Sequence, residues 1–365
     1  MNSPTSTAVT TPVKCLVWDL DNTLWRGTLL EGDQVVLTDE IRELVALLDS
    51  RGILQSVASK NDQDLAWAQL EALGLAEFFV LPEIGWGAKS ESVRRIAEGL
   101  NFATSAVAFV DDQPAERAEV SARLPDVRCY DAAELAQLAA RPEFDPEVTG
   151  DARERRRMYQ AGFRRDAARS DFPGPDEDFL RSLDIEMQIR RADAAELARV
   201  SELTVRTSQM NATGVPYSGD ELQDLTADPE HEVLVVSMSD RFGSHGAVGV
   251  LLLERRPGLW RLRLLATSCR VVSFGAGTVI LNWLIDAAHT AGVHLAGDFR
   301  RTERNRMMDI AYRFAGFEDA TCACLAGLDS GTAPDGLQHL HLVPTAHPAP
   351  TTMRLSSPTL FGRTS

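Results

Sequence analysis

The sequence predicts an α/β protein in which a parallel-sheet domain is followed by a domain of α+β type. Between residues 14 and 130, short apolar runs alternate with helix-like segments, which is typical of a mostly parallel sheet covered on both faces. From about 179 to 330, consecutive strand-like runs are joined by tight turns and followed by a helix-like segment. The length of 365 residues and the hydrophobic content of 44% are sufficient for two domains with separate cores.

Apolar runs and helical patterns predict the individual elements. In the first domain the strand-like segments are KCLVWDL, ILQSVASK and AVAFVDD, and the helix-like segments are DEIRELVALLDSRG, DLAWAQLEALG and SVRRIAEGLN. In the second, helix-like AAELARVSELTVRTSQMN precedes strand-like EVLVVSMSD, GAVGVLLLERR and LWRLRLLATSC, and helix-like AGTVILNWLIDAAHTAG precedes strand-like VHLAGDF. The first domain therefore covers residues 13–145 and the second covers 179–330.

The remaining segments differ from the two domains in composition. Residues 146–178 are charged and bounded by Gly and Pro, which indicates a linker helix. Residues 1–12 are small and polar, and the end of the chain is rich in Pro, Thr and Ser. Because such segments cannot bury enough apolar surface to offset the entropy of ordering, we expect 1–12 and most of 331–365 to be disordered.

Composition also excludes several classes of function. The formal net charge of −16 makes nucleic acid an unfavourable partner, and no apolar run approaches the roughly 18 residues of a membrane span. The five cysteines are few and unevenly spaced, and no apolar signal segment precedes them. We therefore expect a cytoplasmic protein that binds neither nucleic acid nor membrane.

The stretch VWDLDNTLWRGTLL, residues 17–30, ends a predicted strand with two carboxylates. Asp19 and Asp21 are two residues apart, so they would point to one face if the strand persisted. Close carboxylates repel each other unless a cation lies between them or one is protonated. Mg²⁺, which prefers oxygen ligands, fits the first option.

Further polar residues follow the other apolar runs, where the carboxyl ends of parallel strands form one rim. They are Ser59, Lys89, and Asp111 with Asp112. A hydroxyl, an ammonium and carboxylates around a metal are suited to a phosphoryl group. The alternative interpretation is that DLDNT is only an Asx-type turn, and the three further motifs in register make it the weaker one.

This set of motifs resembles the haloacid dehalogenase superfamily, which has DxDxT, a Ser or Thr after strand two, a Lys, and an acidic pair after strand four. The resemblance implies a Rossmann-like domain in which Asp19 is the nucleophile that forms an aspartyl phosphate, Asp21 is the general acid and base, and Thr23 supports the loop. It also implies phosphate binding by Ser59, Lys60, Asn61 and Lys89, and Mg²⁺ binding by Asp19, Asp21, Asp111 and Asp112.

Little chain is available for a cap over this site. The segment 24–40 is too short for a cap domain, and the interval between Ser59 and Lys89 has room for about one helix. We therefore expect a minimal cap and an open site, which suits a bulky or macromolecular substrate or one that the second domain helps to enclose.

Motifs from both halves of the chain are similar to a narrower group, the FkbH-like family, over about residues 14–320. They are DLDNTLWRGTL, SVASKND, EIGWGAKSESVRRIAEGLN, FVDDQPAER, ELTVRTSQMNATG, DRFGSHGAVGV and SCRVVSFG. The family joins a phosphatase-type domain to an acetyltransferase (GNAT)-like domain. The resemblance implies capture of the glyceryl unit of 1,3-bisphosphoglycerate, loss of phosphate, and delivery of a glyceryl thioester to an acyl carrier protein for polyketide biosynthesis, as a methoxymalonyl or tetronate precursor.

Delivery of a thioester requires a thiol at some stage. By this resemblance Cys269, at a predicted strand end, would carry the acyl group, with Arg270 beside it to activate the thiol or hold a phosphate. His245, in turn-like FGSHGA, is a candidate base. The alternatives, an inert strand-end cysteine and an exposed turn histidine, stay open.

The sequence departs from the family pattern after SCRV. The family usually continues Leu-Gly-Arg-Gly, whereas this chain has Val272, Ser273, Phe274 and Gly275. The change removes a cation and narrows a loop that would approach a pyrophosphate through backbone N–H groups, so we expect weak coenzyme A binding. Asp62 and Gln113 also stand where the family often has Asn.

Other functions remain open on the sequence. One is a haloacid dehalogenase-type phosphatase of a small phosphate ester with an accessory binding domain, and another is an N-acetyltransferase with a vestigial phosphatase domain. An arginine-rich island in the linker is either a docking surface for an acidic carrier protein or a solvated face. Its members are Arg153, Arg155, Arg156, Arg157, Arg164 and Arg165.

Overall fold

The structure, a computed structural model, divides into two compact units, residues 1–160 and 161–365. It describes residues 11–32, 34–146, 148, 150–194, 196–206, 209–328 and 336–362. Nearly all of the tail predicted for residues 1–12 lies outside these ranges. A helix, Gly150–Ser170, lies within the predicted linker, 146–178, and the boundary between the two units falls inside this helix.

The first unit contains a five-stranded sheet in which every strand is parallel to its neighbours. The strands are β1 (Cys15–Trp18), β2 (Leu54–Ser59), β3 (Glu83–Ile84), β4 (Val107–Asp111) and β5 (Arg128–Asp131). The helices are α1 (Asp39–Ser50), α2 (Gln63–Ala72), α3 (Lys89–Gly99), α4 (Pro114–Arg123), α5 (Leu135–Leu138) and the first part of α6 (Gly150–Ser170). The strand order is β3-β2-β1-β4-β5.

This order determines where the polar residues lie. Strands β1, β2 and β4 are buried along their whole length, which explains their near-continuous apolar runs. Because β1 lies between β2 and β4, the residues at or just after their carboxyl ends meet at one edge. Asp19, Ser59 and Asp111 occupy these positions.

The second unit contains a mixed seven-stranded sheet of order β11-β10-β9-β8-β7-β6-β12. Its strands are β6 (Ile185–Arg191), β7 (His231–Asp240), β8 (Gly243–Arg256), β9 (Leu259–Thr267), β10 (His294–Arg300), β11 (Leu337–Leu342) and β12 (Met353–Ser356). Its helices are the remainder of α6, α7 (Asp176–Ser182), α8 (Leu197–Arg206), α9 (Gly219–Ala227), α10 (Ala276–Ala291) and α11 (Arg306–Phe314). Among the described strands of this second sheet, only β9–β10 and β6–β12 pair in parallel. The predicted order of a parallel α/β domain and an α+β domain is confirmed.

The end of the chain is more ordered than its composition suggests. Strand β11 pairs with β10, and β12 pairs with β6, so the two strands form the edges of the second sheet. The prediction that residues 331–365 are mostly disordered is wrong for these strands. Backbone pairing supplies their order, whereas Met353 is the only fully buried side chain of β12.

Strands β9 and β10 diverge after a short parallel pairing. His294–Gly297 pair with Leu259–Leu262. Farther along, Ala212 lies between the two strands, because its N–H donates to the Leu265 carbonyl and its carbonyl accepts from the Arg300 N–H, each at 3.0 Å. A short segment from the loop after α8 therefore completes the sheet at this point.

Asn305 holds this segment in place. Its side chain is fully buried, and Nδ2 donates to the carbonyl oxygens of Asn211, Ala212 and Arg300 at 2.9–3.2 Å. Oδ1 accepts from the Thr302 N–H at 2.9 Å.

Among the described residues, no helix is both long and apolar enough to cross a membrane.

Replacement of Asn305 by alanine should destabilise the second unit strongly. The variant Asn305→Ala leaves buried carbonyl groups without a donor, so we expect a loss of about 2–3 kcal/mol in the free energy of unfolding. Urea unfolding of the variant and the parent protein measures this difference. The control is Gln223→Ala on an exposed position of α9, where a change within about 0.5 kcal/mol is expected. Equal effects of the two substitutions would contradict the assigned role.

Candidate active site

The centre of the candidate site is a buried ammonium between two buried carboxylates. Lys89 Nζ donates to Asp19 Oδ1 at 2.5 Å and to Asp111 Oδ2 at 2.6 Å. None of the three side chains is more than 5% exposed. Three separate elements contribute them: the end of β1, the start of α3 and the end of β4.

Burial and charge together shift the acid–base properties of this group. Burial, with a contribution from the Asp111 carboxylate, raises the pKa of Asp19 to about 6 against the opposing effect of Lys89. Burial alone would lower the pKa of the Lys89 ammonium, but the two carboxylates more than compensate and raise it. Lys89 is therefore a fixed positive charge at neutral pH.

A third carboxylate completes a candidate metal cluster. Oxygens of Asp19, Asp111 and Asp112 lie within 4.8 Å of one another, and Asp112 Oδ1 is buried without a hydrogen-bond partner. Burial and the Asp111 carboxylate raise the pKa of Asp112. Three carboxylates and one ammonium carry a formal charge of −2, which a hard divalent ion with oxygen ligands would balance. The residues thus fit the predicted Mg²⁺.

Asp21 lies outside this cluster, although it was predicted as a metal ligand. Its Oδ1 accepts from Trp25 Nε1 at 2.8 Å and from the Leu29 N–H at 3.1 Å, and its Oδ2 accepts from Asn61 Nδ2 at 3.0 Å. These three donors fix the orientation of the carboxylate, as a general acid and base requires. Its side-chain oxygens are engaged by protein groups and are not part of the group of Asp19, Asp111 and Asp112.

The loop after β1 is also a tight turn, so both interpretations of DLDNT describe part of it. Asn22 has a left-handed φ of 55°, and its Oδ1 accepts from the Gly27 N–H at 3.1 Å. Thr23 Oγ1 accepts from the Asp112 N–H at 3.0 Å, which joins this loop to the loop after β4. The predicted supporting role of Thr23 therefore has a defined contact.

Ser59 ends β2, and Lys60 and Asn61 follow it. Two of these three residues lie at the site and one lies at the surface. Ser59 is buried at the end of β2, and Asn61 is buried and donates to Asp21. Lys60, predicted to bind phosphate, has a half-exposed side chain whose Nζ lies 2.7 Å from Glu116 Oε1. An ion pair at the surface thus holds this ammonium, and Lys89 is the lysine at the carboxylates.

The carboxylate of Glu119 positions Lys89, and no sequence motif predicts this role. Glu119 in α4 accepts from the Ser90 N–H at 3.0 Å and from Ser90 Oγ at 2.5 Å. The contact fixes the first turn of α3, where Lys89 lies. No motif connects Glu119 with Ser90, because they are 29 residues apart on different helices.

A cleft of about 510 Å³ adjoins the carboxylate loops, which is a volume suited to a small ligand. Thr23 and Asp112 line it, together with apolar residues of α1 such as Ile41 and Leu44 and the guanidinium-bearing Arg26.

The predicted thiol site in the second unit is exposed. Cys269 begins a short 3₁₀ helix, Cys269–Phe274, directly after β9, and both Cys269 and Arg270 are exposed. Arg270 Nε donates to Ser268 Oγ at 3.3 Å. The thiol is therefore accessible to a large partner, and the acyl-carrying role and a phosphate contact of Arg270 stay predictions.

His245 does not lie in an exposed turn, and that interpretation is wrong. It is a buried residue of β8, and its Nε2 lies 3.0 Å from Asp240 Oδ2. The hairpin of β7 and β8 extends further than the glycines suggested, with a bulge that the left-handed Gly246 allows. No hydrogen bond joins His245 to Cys269 within the part of the chain that the structure describes, so its role as a base stays a prediction.

Asp240 is the centre of a second buried charged group. Burial opposes its ionisation, but hydrogen bonds from His245 and Arg165 hold the pKa of this carboxyl well below its usual range. The guanidinium of Arg165 lies 5.6 Å from the centre of the Phe274 ring, and the His245 ring lies 5.1 Å from it. Phe274 is therefore a packed residue.

Some arginines of the arginine-rich island form ion pairs within the protein. Arg165 pairs with Asp240, and Arg156 Nε lies 2.9 Å from Asp49 Oδ1 with its side chain largely buried. Arg153, Arg157 and Arg164 remain exposed. A carrier-docking surface on α6 would have at most part of the predicted charge.

Comparisons with known proteins give partial similarities to solved structures. The N-terminal part of a Bacteroides fragilis protein, containing a phosphatase domain complexed with Mg, is 28% identical, with coverage of 40% of this chain and 38% of that chain and a TM-score of 0.29. This chain therefore spans less than half of that structure.

Two further structures are more distant in sequence. A haloacid dehalogenase-superfamily hydrolase from Ehrlichia chaffeensis is 14% identical over 33% of this chain and 87% of that one, with a TM-score of 0.28. The spermidine N-acetyltransferase from Vibrio cholerae is 16% identical over 43% and 95%, with a TM-score of 0.33. No protein-family model and no curated protein matches the chain.

The fold of the first unit is an α/β domain of haloacid dehalogenase type with a minimal cap, and the fold of the second is an α+β domain of acetyltransferase type. The narrower family suggested by the motifs enters only the proposal below.

Mg²⁺ binding should depend on Asp112. The variant Asp112→Asn removes one negative charge and a buried oxygen ligand, so we expect Mg²⁺ affinity to fall at least about tenfold. The measurement is the shift in unfolding temperature across a Mg²⁺ titration. Asp62→Asn, an exposed helix cap in the same unit, is the control and should bind like the parent protein. Equal Mg²⁺ responses of the two variants would exclude Asp112 as a ligand.

Mg²⁺ affinity should also decrease as the pH is lowered. Asp19 has a pKa of about 6 in the metal-free fold, above its unfolded value of roughly 4, so below pH 6 a proton must leave before the carboxylate can bind metal. We expect about a tenfold loss of affinity per pH unit below 6. The same shift makes the metal-free protein less stable as pH rises from about 4 to about 6, because the unfolded chain releases this proton first. Titrations at about pH 5.5 and pH 7.5 test this, and equal affinities would contradict it.

Proposed function

We propose that this chain is a Mg²⁺-dependent glyceryltransferase and phosphatase. It takes the glyceryl unit of 1,3-bisphosphoglycerate, removes phosphate, and loads the unit as a thioester on an acyl carrier protein for polyketide biosynthesis. The observation that carries the phosphoryl part is the buried Lys89 between Asp19 and Asp111, beside the unpartnered oxygen of Asp112. Support for the glyceryl and carrier parts comes from the motifs shared with the FkbH-like family.

Two carboxylates have different roles in the phosphoryl step. Asp19 attacks the phosphorus of the C3 phosphate ester through a carboxylate oxygen, and the bond from that phosphorus to the C3 oxygen breaks, so the acyl phosphate at C1 is kept for the acyl step. Asp21, held by Trp25 and Asn61, gives its proton to that oxygen. Asp21 then takes a proton from water, which attacks phosphorus, releases phosphate and restores Asp19.

Other groups of the chain bind and orient the phosphoryl group. Lys89 holds Asp19 in position and supplies a fixed positive charge, and Ser59 is placed at the same edge to donate to phosphate. Asp19, Asp111 and Asp112 would hold Mg²⁺, which when bound supplies positive charge to neutralise the phosphate oxygens.

The acyl step uses the exposed thiol of the second unit. Cys269 attacks the carbonyl carbon of the acyl phosphate, the bond from carbon to the phosphate oxygen breaks, and phosphate leaves with the thiol proton. The phosphopantetheine thiol of the carrier then attacks the same carbon and regenerates Cys269. The accessibility of Cys269 supports a macromolecular acceptor.

A second candidate function is a phosphatase of a small phosphate ester with an accessory binding domain. Two observations favour it: Asp112 of the carboxylate cluster lines a cleft of small-ligand size, and His245 is paired with Asp240 and not with Cys269. An N-acetyltransferase is disfavoured, because Phe274 replaces a cation at the loop before α10.

The test is intact-mass analysis of a cognate carrier protein incubated with the enzyme, 1,3-bisphosphoglycerate and Mg²⁺. We expect a glyceryl adduct on the phosphopantetheine arm, its complete loss with Cys269→Ala, and accumulation of a phosphorylated adduct or no adduct with Asp19→Asn. Cys129→Ala, a half-buried cysteine of the first unit, is the matched control and should retain the adduct.

Other outcomes identify the alternatives. Absence of an adduct on several carriers, with multiple turnover on small phosphate esters that Cys269→Ala leaves unchanged, would replace the proposal with the phosphatase. Tight binding of acetyl-coenzyme A in calorimetry would point to the acetyltransferase.

A further inference from the structure

Two histidines and two cysteines converge at one edge of the second sheet, and none of them takes part in the proposed mechanism. His294 begins β10 and His341 lies in the neighbouring strand β11. Cys322 and Cys324 lie in the connection between α11 and β11. All four are buried or half-buried, and both cysteines are free thiols.

The donor atoms of these side chains face one another. His294 Nδ1 lies 3.1 Å from His341 Nε2, 3.4 Å from Cys324 Sγ and 3.6 Å from Cys322 Sγ. All four donor atoms lie within 4.8 Å of one another. One ring nitrogen has a single proton or a single lone pair, so hydrogen bonding cannot satisfy three such neighbours at once.

The spacings match the edges of a metal-centred tetrahedron. Zinc lies about 2.0–2.1 Å from nitrogen and about 2.3 Å from sulfur, which for tetrahedral angles gives nitrogen–nitrogen edges of about 3.3 Å and nitrogen–sulfur edges of about 3.6 Å. The observed 3.1, 3.4 and 3.6 Å differ from these values by a few tenths of an ångström at most.

We propose that His294, Cys322, Cys324 and His341 form a structural zinc site. Two thiolates and two imidazoles are the soft and borderline ligands that select zinc, whereas Mg²⁺ prefers oxygen. Four protein ligands leave no open position for a substrate or water, which assigns the site to structure.

The site would fix the connection between α11 and β11. Cys324 and Leu325 pack against a small cluster made of Leu259, Ala296 and Leu328, separate from the large core of the unit. Strand β11 is an edge strand, and backbone hydrogen bonds between His341 and Glu318 join it to the residues after α11. A metal held by both cysteines and both histidines ties this connection to β10 and β11 together.

The experiment measures metal in the full-length chain without an affinity tag, expressed with added zinc and purified without chelators. We expect about one zinc per chain by elemental mass spectrometry, and less than about a tenth of that in the Cys322→Ser, Cys324→Ser double variant. Cys129→Ser is the matched control and should retain zinc. A zinc content that is near zero in the parent protein, or equal in the double variant, would overturn the proposal.

Cobalt gives a second readout that does not require a folded variant. Zinc is removed from the parent protein with a chelator and Co²⁺ is added. We expect the intense visible absorption and sulfur-to-metal charge transfer of tetrahedral Co²⁺ bound to thiolates, and its displacement by zinc. A weak octahedral spectrum, or a Cys322–Cys324 disulfide in the protein kept under reducing conditions, would overturn the assignment.

Discussion

The first domain depends on one buried interaction, the ammonium of Lys89 between Asp19 and Asp111. Adjacent parallel strands bring these carboxylates to one edge, where their repulsion would be unfavourable without a cation. Lys89 supplies that cation from the first turn of α3, and Glu119 fixes this turn through Ser90. Loss of one partner of such a buried pair typically costs about 3–5 kcal/mol, so the same contact stabilises the fold and prepares the site.

The positions of the site residues could be predicted because they follow from strand order, but their partners could not. The carboxyl ends of the neighbouring strands β1, β2 and β4 lie at one edge, and Asp19, Ser59 and Asp111 lie there with them. The choice of partner depends on side-chain direction and on distant elements. Lys60 forms an ion pair with Glu116 at the surface, and the Asp21 carboxylate accepts hydrogen bonds from three donors. No motif specifies either set of contacts.

The second domain was harder to predict at its edges than in its centre. Long apolar runs identified β7 to β10, whereas β11 and β12 are short edge strands of four to six residues that pair with the rest of the sheet on one side only. His245 was misplaced for a related reason, because glycines that mark a turn also permit a bulge within a long hairpin. The convergence of His294 with Cys322 and Cys324 arises only when the strands are assembled, since 28 and 30 residues separate them.

The packing of Phe274 restricts which side chains its position can accept. Its ring packs against the guanidinium of Arg165 and the imidazole of His245, which share the single carboxylate of Asp240. An arginine at 274 would place a second guanidinium beside that of Arg165, with no additional anion to neutralise it. The loop before α10 can therefore carry a cation at this position only if a neighbouring residue also changes.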